Sequence, residues 1–279
     1  MPLDFRYHLA SLTAVFSALL IGILLGVAMI NSAVLIDQVK QMREEYKKSQ
    51  KADEIDQRTD LFNQRTQALL VHKRLLYRNV VLVCDGFVFP EDQMQAVRQT
   101  LQQAGATVTA EIILKPGLMQ VAPERVKAMY QQIGISADGE PSVQDLLYRF
   151  GRDTGRGWTS ITQVLEGEKL IRVSGDINMP ISTVVYLGGS ITSPEDPLNT
   201  IDFPFLRACV ERRLHIAAAE EFDEKRPSVM SDYQKYAPIA IDNINKAAGR
   251  IALVLALSAN RQGHFGYRPN ADDVAPDIE

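Results

Sequence analysis

Cysteine is nearly absent from this chain: two residues in 279, Cys84 and Cys209. That excludes a disulfide framework and any C-x-x-C metal or redox motif. Both sit in apolar runs, where a free cysteine behaves as a small buried hydrophobe. A single bridge between them remains open, and they are the candidate metal ligands, since the eight methionines are scattered. Phosphate-binding and catalytic signatures are also missing. There is no G-x-x-x-x-G-K-[ST] loop, no G-x-G-x-x-G turn after the first strand, and no G-x-S-x-G elbow. The four histidines, His8, His72, His215 and His264, are isolated in sequence, so no metal-ligand spacing is visible. These absences argue against an enzyme. The net charge is −4 with no broad basic face, which gives no reason to expect nucleic acid.

Charge is missing altogether from one long stretch, Leu9–Ile30, LASLTAVFSALLIGILLGVAMI. As a helix its 22 residues extend about 33 Å, enough to cross a hydrocarbon core of roughly 30 Å. The run is too long for the apolar core of a secretory signal, and Asn31-Ser32-Ala33 is a poor cleavage site. Residues 1–30 therefore read as an N-terminal transmembrane helix that anchors the chain to a membrane. Within it Ala10, Ala14, Ala18, Gly22 and Gly26 recur every fourth residue. Small side chains on one helix face let two helices approach closely in lipid. Ala14, Ala18, Gly22 and Gly26 are thus the expected packing positions of a homo-oligomer. Lys40, Arg43, Lys47 and Lys48 follow the span and Arg6 precedes it. Taken literally that bias puts the large domain in the cytoplasm, but acidic residues dilute it.

Glycine and proline are absent from residues 31–77. The segment is rich in good helix formers and forms a helical connector, residues 31–78. Leu35, Val39, Met42 and Tyr46 step as a coiled-coil seam does. The pattern fails through Lys47–Asp60 and resumes at Phe62, Leu69 and Leu76. A short parallel coiled coil and a single solvated helix both fit.

From Asn79 onward, short apolar runs alternate with amphipathic ones. Asn79–Cys84 is a strand buried on both faces. Asp85-Gly86 breaks it, a helix runs from Pro90 to Gln103, and Thr107–Leu114 is the next strand. Helices are expected at Pro123–Ile133, Ser142–Arg149, Ser160–Glu168, Phe203–Arg213 and Lys246–Ala259. Further strands are expected at Ser182–Leu187, His215–Ala219 and Ile239–Ile241. The alternation predicts a Rossmann-like, doubly wound, mostly parallel sheet over residues 79–262, followed by a disordered Pro/Gly/Asp-rich tail, residues 263–279.

Ligands of such sheets bind beyond the carboxyl ends of the strands. Asp85, Gly188, Gly189, Asp242 and Asn243 stand there as the possible ligand or partner site, with Glu220-Glu221 beside them. If Asp242 serves such a site, Asp242→Ala leaves the fold intact and impairs function. Each also has a local use, glycine in turns and Ser190, Ser193, Asp242 or Asn243 as helix caps.

Two segments carry a family resemblance. Phe5–Ile30 has a basic-aromatic-His start before a span containing G-x-x-x-G. Ala240–Tyr267 has a strand, an Asp-Asn turn, an apolar helix and a terminal Gly-His-x-Gly. Ala104–Leu114 is a weaker third match. The chain thus resembles the copper transporter family named for mycobacterial copper transport protein B. The resemblance implies a single-pass cell-membrane protein with an extracytoplasmic domain and a role in copper efflux or copper tolerance. Copper enters only through that resemblance, since no Cys/Met/His cluster supplies a ligand set. One span cannot line a polar path alone. The alternative is a non-catalytic envelope scaffold that presents its α/β domain to a partner such as a cell-wall hydrolase or division regulator.

Overall fold

A computed structural model describes residues 5–86, 89–135, 140–157, 159–189 and 196–277; among these, the side chains of 5–10, 26–39 and several positions between 41 and 53 are outside the description. Ser190 and Ser193, expected as caps, lie outside the described residues. The chain divides into two units, Met1–Thr59 and Asp60–Glu279.

The first unit is helical throughout its described part. It forms most of α1, Phe5–Val71, a helix of 67 residues. The side chains of residues 11–25, which include Ala14, Ala18 and Gly22, are all exposed. Nothing lies within 4 Å of the position a Cβ on Gly22 would take. The Gly26 side-chain position lies outside the described residues. Among the described residues no helix is long and apolar enough to cross a membrane. The span expected at Leu9–Ile30 falls only partly within them.

The second unit is an α/β domain built on a seven-stranded sheet of order β3-β2-β1-β4-β5-β6-β7. At its centre β1 (Asn79–Asp85) pairs in parallel with β2 (Thr107–Leu114) and with β4 (Thr183–Leu187). β5 (His215–Ala219), β6 (Ile239–Ile241) and β7 (Gly263–Phe265) continue the parallel array. On the other edge β3 (Ile171–Gly175) is antiparallel to β2. The strand order reverses direction between β1 and β4, the switch point of a doubly wound sheet.

Side chains alternate across the sheet and give two core layers, as strand geometry requires. On one face Val81, Val83, Val184, Tyr186, Ile216 and Ala218 pack under α3 (Pro123–Ile133), α4 (Val143–Asp153), α5 (Ser160–Gly167), α6 (Phe203–Glu211) and α7 (Met230–Tyr233). On the other, Val80, Leu82, Cys84, Val185, Leu187 and Ala217 pack under α2 (Glu91–Gln103) and α8 (Ala247–Ala259). α8 is buried nearly all round, which explains its almost unbroken apolar sequence.

Three features differ from those expected. Residues 60–78 belong to the α/β unit, not to a connector. Val71 and Leu75 are buried in the α2/α8 layer. Gln67 donates to Thr100 Oγ1 and to Gln103 Oε1, both at 3.0 Å. Asp60 Oδ1 accepts the Ala247 N–H at 3.1 Å, so α1 supplies an acid to the first turn of α8. Connector composition hid this because one helix face is buried while the other carries the exposed Phe62 and Leu69.

The tail is ordered by its own acids. β7 joins the sheet, and His264 N–H donates to Asp272 Oδ2 at 2.8 Å. Gly266 N–H donates to the Asp273 carbonyl at 2.9 Å. The Asp and Gly residues that suggested disorder are turn and cap residues of a packed segment. The third difference is β3. It is an edge strand with one buried residue of five, so it lacks the apolar run that marks the central strands.

Candidate functional site

The expected strand-end residues fall into two neighbouring groups. The first lies at the ends of β1, β4 and β5. Gly86 runs so close to the end of β2 that a Cβ there would come 2.7 Å from the Leu114 carbonyl oxygen, which accepts its N–H at 2.8 Å. Asp85, just before it, is fully buried. A Cβ on Gly188 would overlap the Tyr233 hydroxyl, and one on Gly189 would lie 2.7 Å from Glu220 Cβ. Gly189 also has φ +114, a conformation that favours glycine.

Under these glycines lies a sealed polar cluster. The hydroxyls of Tyr186 and Tyr233 donate to the two carboxylate oxygens of Asp202, and all three side chains are fully buried. The Gly189 N–H in turn donates to the Tyr233 hydroxyl at 3.3 Å. Burial raises the Asp202 carboxyl well above its ordinary range, and the nearby Asp85 adds to the rise. Burial first, and Asp202 second, push both tyrosines up as well. The network therefore resists ionisation and fixes the Gly188–Gly189 turn. Glu220 is buried beside it and accepts the Val229 N–H at 3.1 Å. Its carboxyl is raised by burial, against the opposing pull of Ser228, Val229 and Arg268. Phe89, Gly188, Gly189, Glu220, Arg226 and Arg268 border the crevice that remains. Its free volume is about 10 Å³, the space of a single water.

The second group is at β6 and β7. Asp242 is fully buried. It accepts the Tyr267 N–H at 2.6 Å and the Arg268 N–H at 3.1 Å. His264 Nε2 sits 2.8 Å from Asp242 Oδ2, off the line that a hydrogen bond needs. A Cβ on Gly266 would overlap the Asp242 carboxylate. Asn243 is equally buried, and a Cβ on Gly249 would overlap it. The Asp-Asn turn, the small-residue start of α8 and the Gly-His-x-Gly end are thus parts of one clasp that holds the C-terminal segment on the sheet. These contacts weigh against the expectation that Asp242 can be removed without harm to the fold, and they predict a loss of stability instead.

The two cysteines are not brought together. Cys84 belongs to the layer under α2 and α8, and Cys209 to the layer under α3–α7, so the sheet lies between them. Both are free and buried, and burial pushes both thiols up to about 12. Neither presents the thiolate that metal binding or disulfide exchange uses. Among the described residues no group of three or more His, Cys, Asp and Glu is placed to hold a metal ion.

Asp202, Tyr186 and Tyr233 were not singled out in the sequence. One signal was present: Tyr186 interrupts an apolar central strand, and a buried tyrosine hydroxyl needs a partner. Asp202 precedes Phe203-Pro204 and looks like an ordinary helix-start residue.

The fold and its strand ends define a doubly wound α/β domain carried on a long N-terminal helix, with most of its strand-end acids turned inward. The family model described as "Copper transport outer membrane protein, MctB" matches residues 3–276. The chain belongs to that family. It is similar to the proteins named copper transporter MctB of Mycobacterium bovis (strain ATCC BAA-935 / AF2122/97) and of Mycobacterium tuberculosis strains CDC 1551 and H37Rv. Identity to each is 24% over 319 aligned positions, covering 98% of this chain and 98% of the relative.

Proposed function

We propose that this chain is a single-pass envelope protein, held in the membrane by Leu9–Ile30, that helps copper leave the cell without catalysing a reaction. The observation that carries the reading is the family match along nearly the whole chain. Copper is its cargo at most, not a resident of the α/β core. The separated, protonated Cys84 and Cys209 favour a domain that works through an oligomer or an envelope partner, as a scaffold does. The anchor supplies the oligomer through Ala14, Ala18, Gly22 and Gly26.

Complementation of a strain lacking the gene tests this under copper challenge. Wild type and Cys84→Ser/Cys209→Ser restore growth equally. A deletion strain with no copper phenotype overturns the function, and a cysteine variant that is stable but inactive overturns the indirect role. Gly22→Ile with Gly26→Ile lowers self-association of the isolated span in a membrane two-hybrid assay; an unchanged signal removes those positions from the interface. A reporter fused after residue 279 reads the extracytoplasmic side, and a cytoplasmic signal overturns the topology.

A further inference from the structure

A cleft between the end of α4 and the start of α5 has a different character from the strand ends. It is open, with a volume of about 320 Å³, and its lining includes Arg149, Arg152, Arg156, Asp153, Thr159 and Ser160. Three guanidiniums thus share a cleft with one carboxylate, in a chain of net charge −4. The internal partners of these arginines are few. Arg149 Nε is buried and makes no hydrogen bond among the described residues. Its ion pair is Asp145 Oδ2, 3.8 Å away, an oxygen that already accepts the Tyr130 hydroxyl at 2.7 Å, and its guanidinium lies 5.7 Å over the Tyr130 ring, which leaves the planar fork partly exposed. Arg152 and Arg156 are exposed and form no ion pair among the described residues. Arg156 also crowds a fourth guanidinium: Arg212 is held below its ordinary range by burial and by the Arg156 charge.

The backbone adds donors at the same place. Thr159 caps α5 by accepting the Thr162 N–H. The N–H groups of Ser160 and Ile161 have no carbonyl within the helix to reach, and the helix dipole places partial positive charge there. Planar guanidinium forks, hydroxyls and first-turn N–H groups are the donor set that matches a tetrahedral oxyanion. A volume near 320 Å³ is at the lower end for small-ligand clefts.

We propose that this cleft binds a phosphate-bearing anion through Arg149, Arg152 and Arg156. The shared chemistry is the phosphoryl group, carried either by a soluble phosphate or by an anionic lipid headgroup. The assignment uses no feature of the copper reading and stands or falls separately.

Arginine modification by phenylglyoxal, read by peptide mass spectrometry, tests it on the full chain in lipid nanodiscs. In phosphatidylcholine discs, inorganic phosphate protects Arg149, Arg152 and Arg156, while Arg98, which pairs with Glu111 elsewhere, reacts as before. Protection by phosphatidylglycerol discs without added phosphate identifies a lipid headgroup as the source; protection by inorganic phosphate alone identifies a soluble one. Arg152→Gln/Arg156→Gln weakens protection of Arg149 roughly tenfold or more, because charge-assisted bonds are lost. No protection from either source overturns the proposal. Equal protection by sodium chloride at the same ionic strength also overturns it, because that is screening and not a site.

Discussion

The carboxyl ends of the strands and the cleft between α4 and α5 use charge in opposite ways. At the strand ends, Asp85, Asp202 and Asp242 are fully buried, and Glu220 nearly so. Asp202 and Asp242 are occupied by the chain's own tyrosine hydroxyls and N–H groups. In the cleft, Arg152 and Arg156 are exposed beside the half-exposed Arg149, with Asp153 as the one carboxylate of the lining. Doubly wound sheets usually keep ligand space at the strand ends. Here the glycines that would open that space instead admit Tyr233, Glu220 and Asp242. Position in a fold therefore indicates where to look, while the state of the polar groups decides what is found.

The comparison is broken most severely by Asp242→Ala. That change removes the acceptor of two half-buried N–H groups, those of Tyr267 and Arg268, and leaves His264 buried beside a void, at a cost of about 2–5 kcal/mol. Urea unfolding measures it, and a loss within about 0.5 kcal/mol would show that the clasp is not structural. Next in size is Tyr233→Phe, which removes one donor to Asp202 and the acceptor for Gly189 N–H, costing about 1–3 kcal/mol by the same measurement.

The pH dependence of the same network has a definite sign. Burial raises the folded Asp202 carboxyl above the ordinary aspartate value of 3.8, so the native state binds a proton there more tightly than the unfolded chain does. That contribution is fully present below the unfolded value and is lost as pH rises toward the folded one. Asp202→Asn therefore gains stability relative to wild type as pH rises above 3.8 and up to the folded value. A difference that stays constant across that range contradicts the raised carboxyl. The smallest effect is expected in the open cleft. Arg152→Gln/Arg156→Gln shifts stability by no more than about 0.5 kcal/mol per site, since both residues are exposed. A larger loss would mean the arginines are structural, as the strand-end acids are.

Much of the domain was legible because central strands and amphipathic helices announce themselves locally. The strand limits of Thr107–Leu114, His215–Ala219 and Ile239–Ile241 match those expected. What stayed hidden depends on distant partners. Ile171–Gly175 becomes a strand because β2 offers an edge. The tail is ordered because Asp242 receives Tyr267 and Arg268 across 25 and 26 positions. Asp60 acts on a helix start 187 positions away. The strand-end residues were found by topology, but their inward orientation was not, since a buried carboxylate and a ligand-binding one look alike in sequence. The arginine cleft carries no motif in the sequence, because it forms only where Arg149, Arg152 and Arg156 meet the start of α5.

The most direct test of the central claim is copper binding by the purified full chain under reducing conditions. Cu(I) is titrated against a competing chelator, with wild type and Cys84→Ser/Cys209→Ser side by side. A core in which the two thiols lie on opposite faces of the sheet predicts superimposable curves. Tight binding that disappears in the double variant would contradict it, and would make the α/β domain a direct copper carrier.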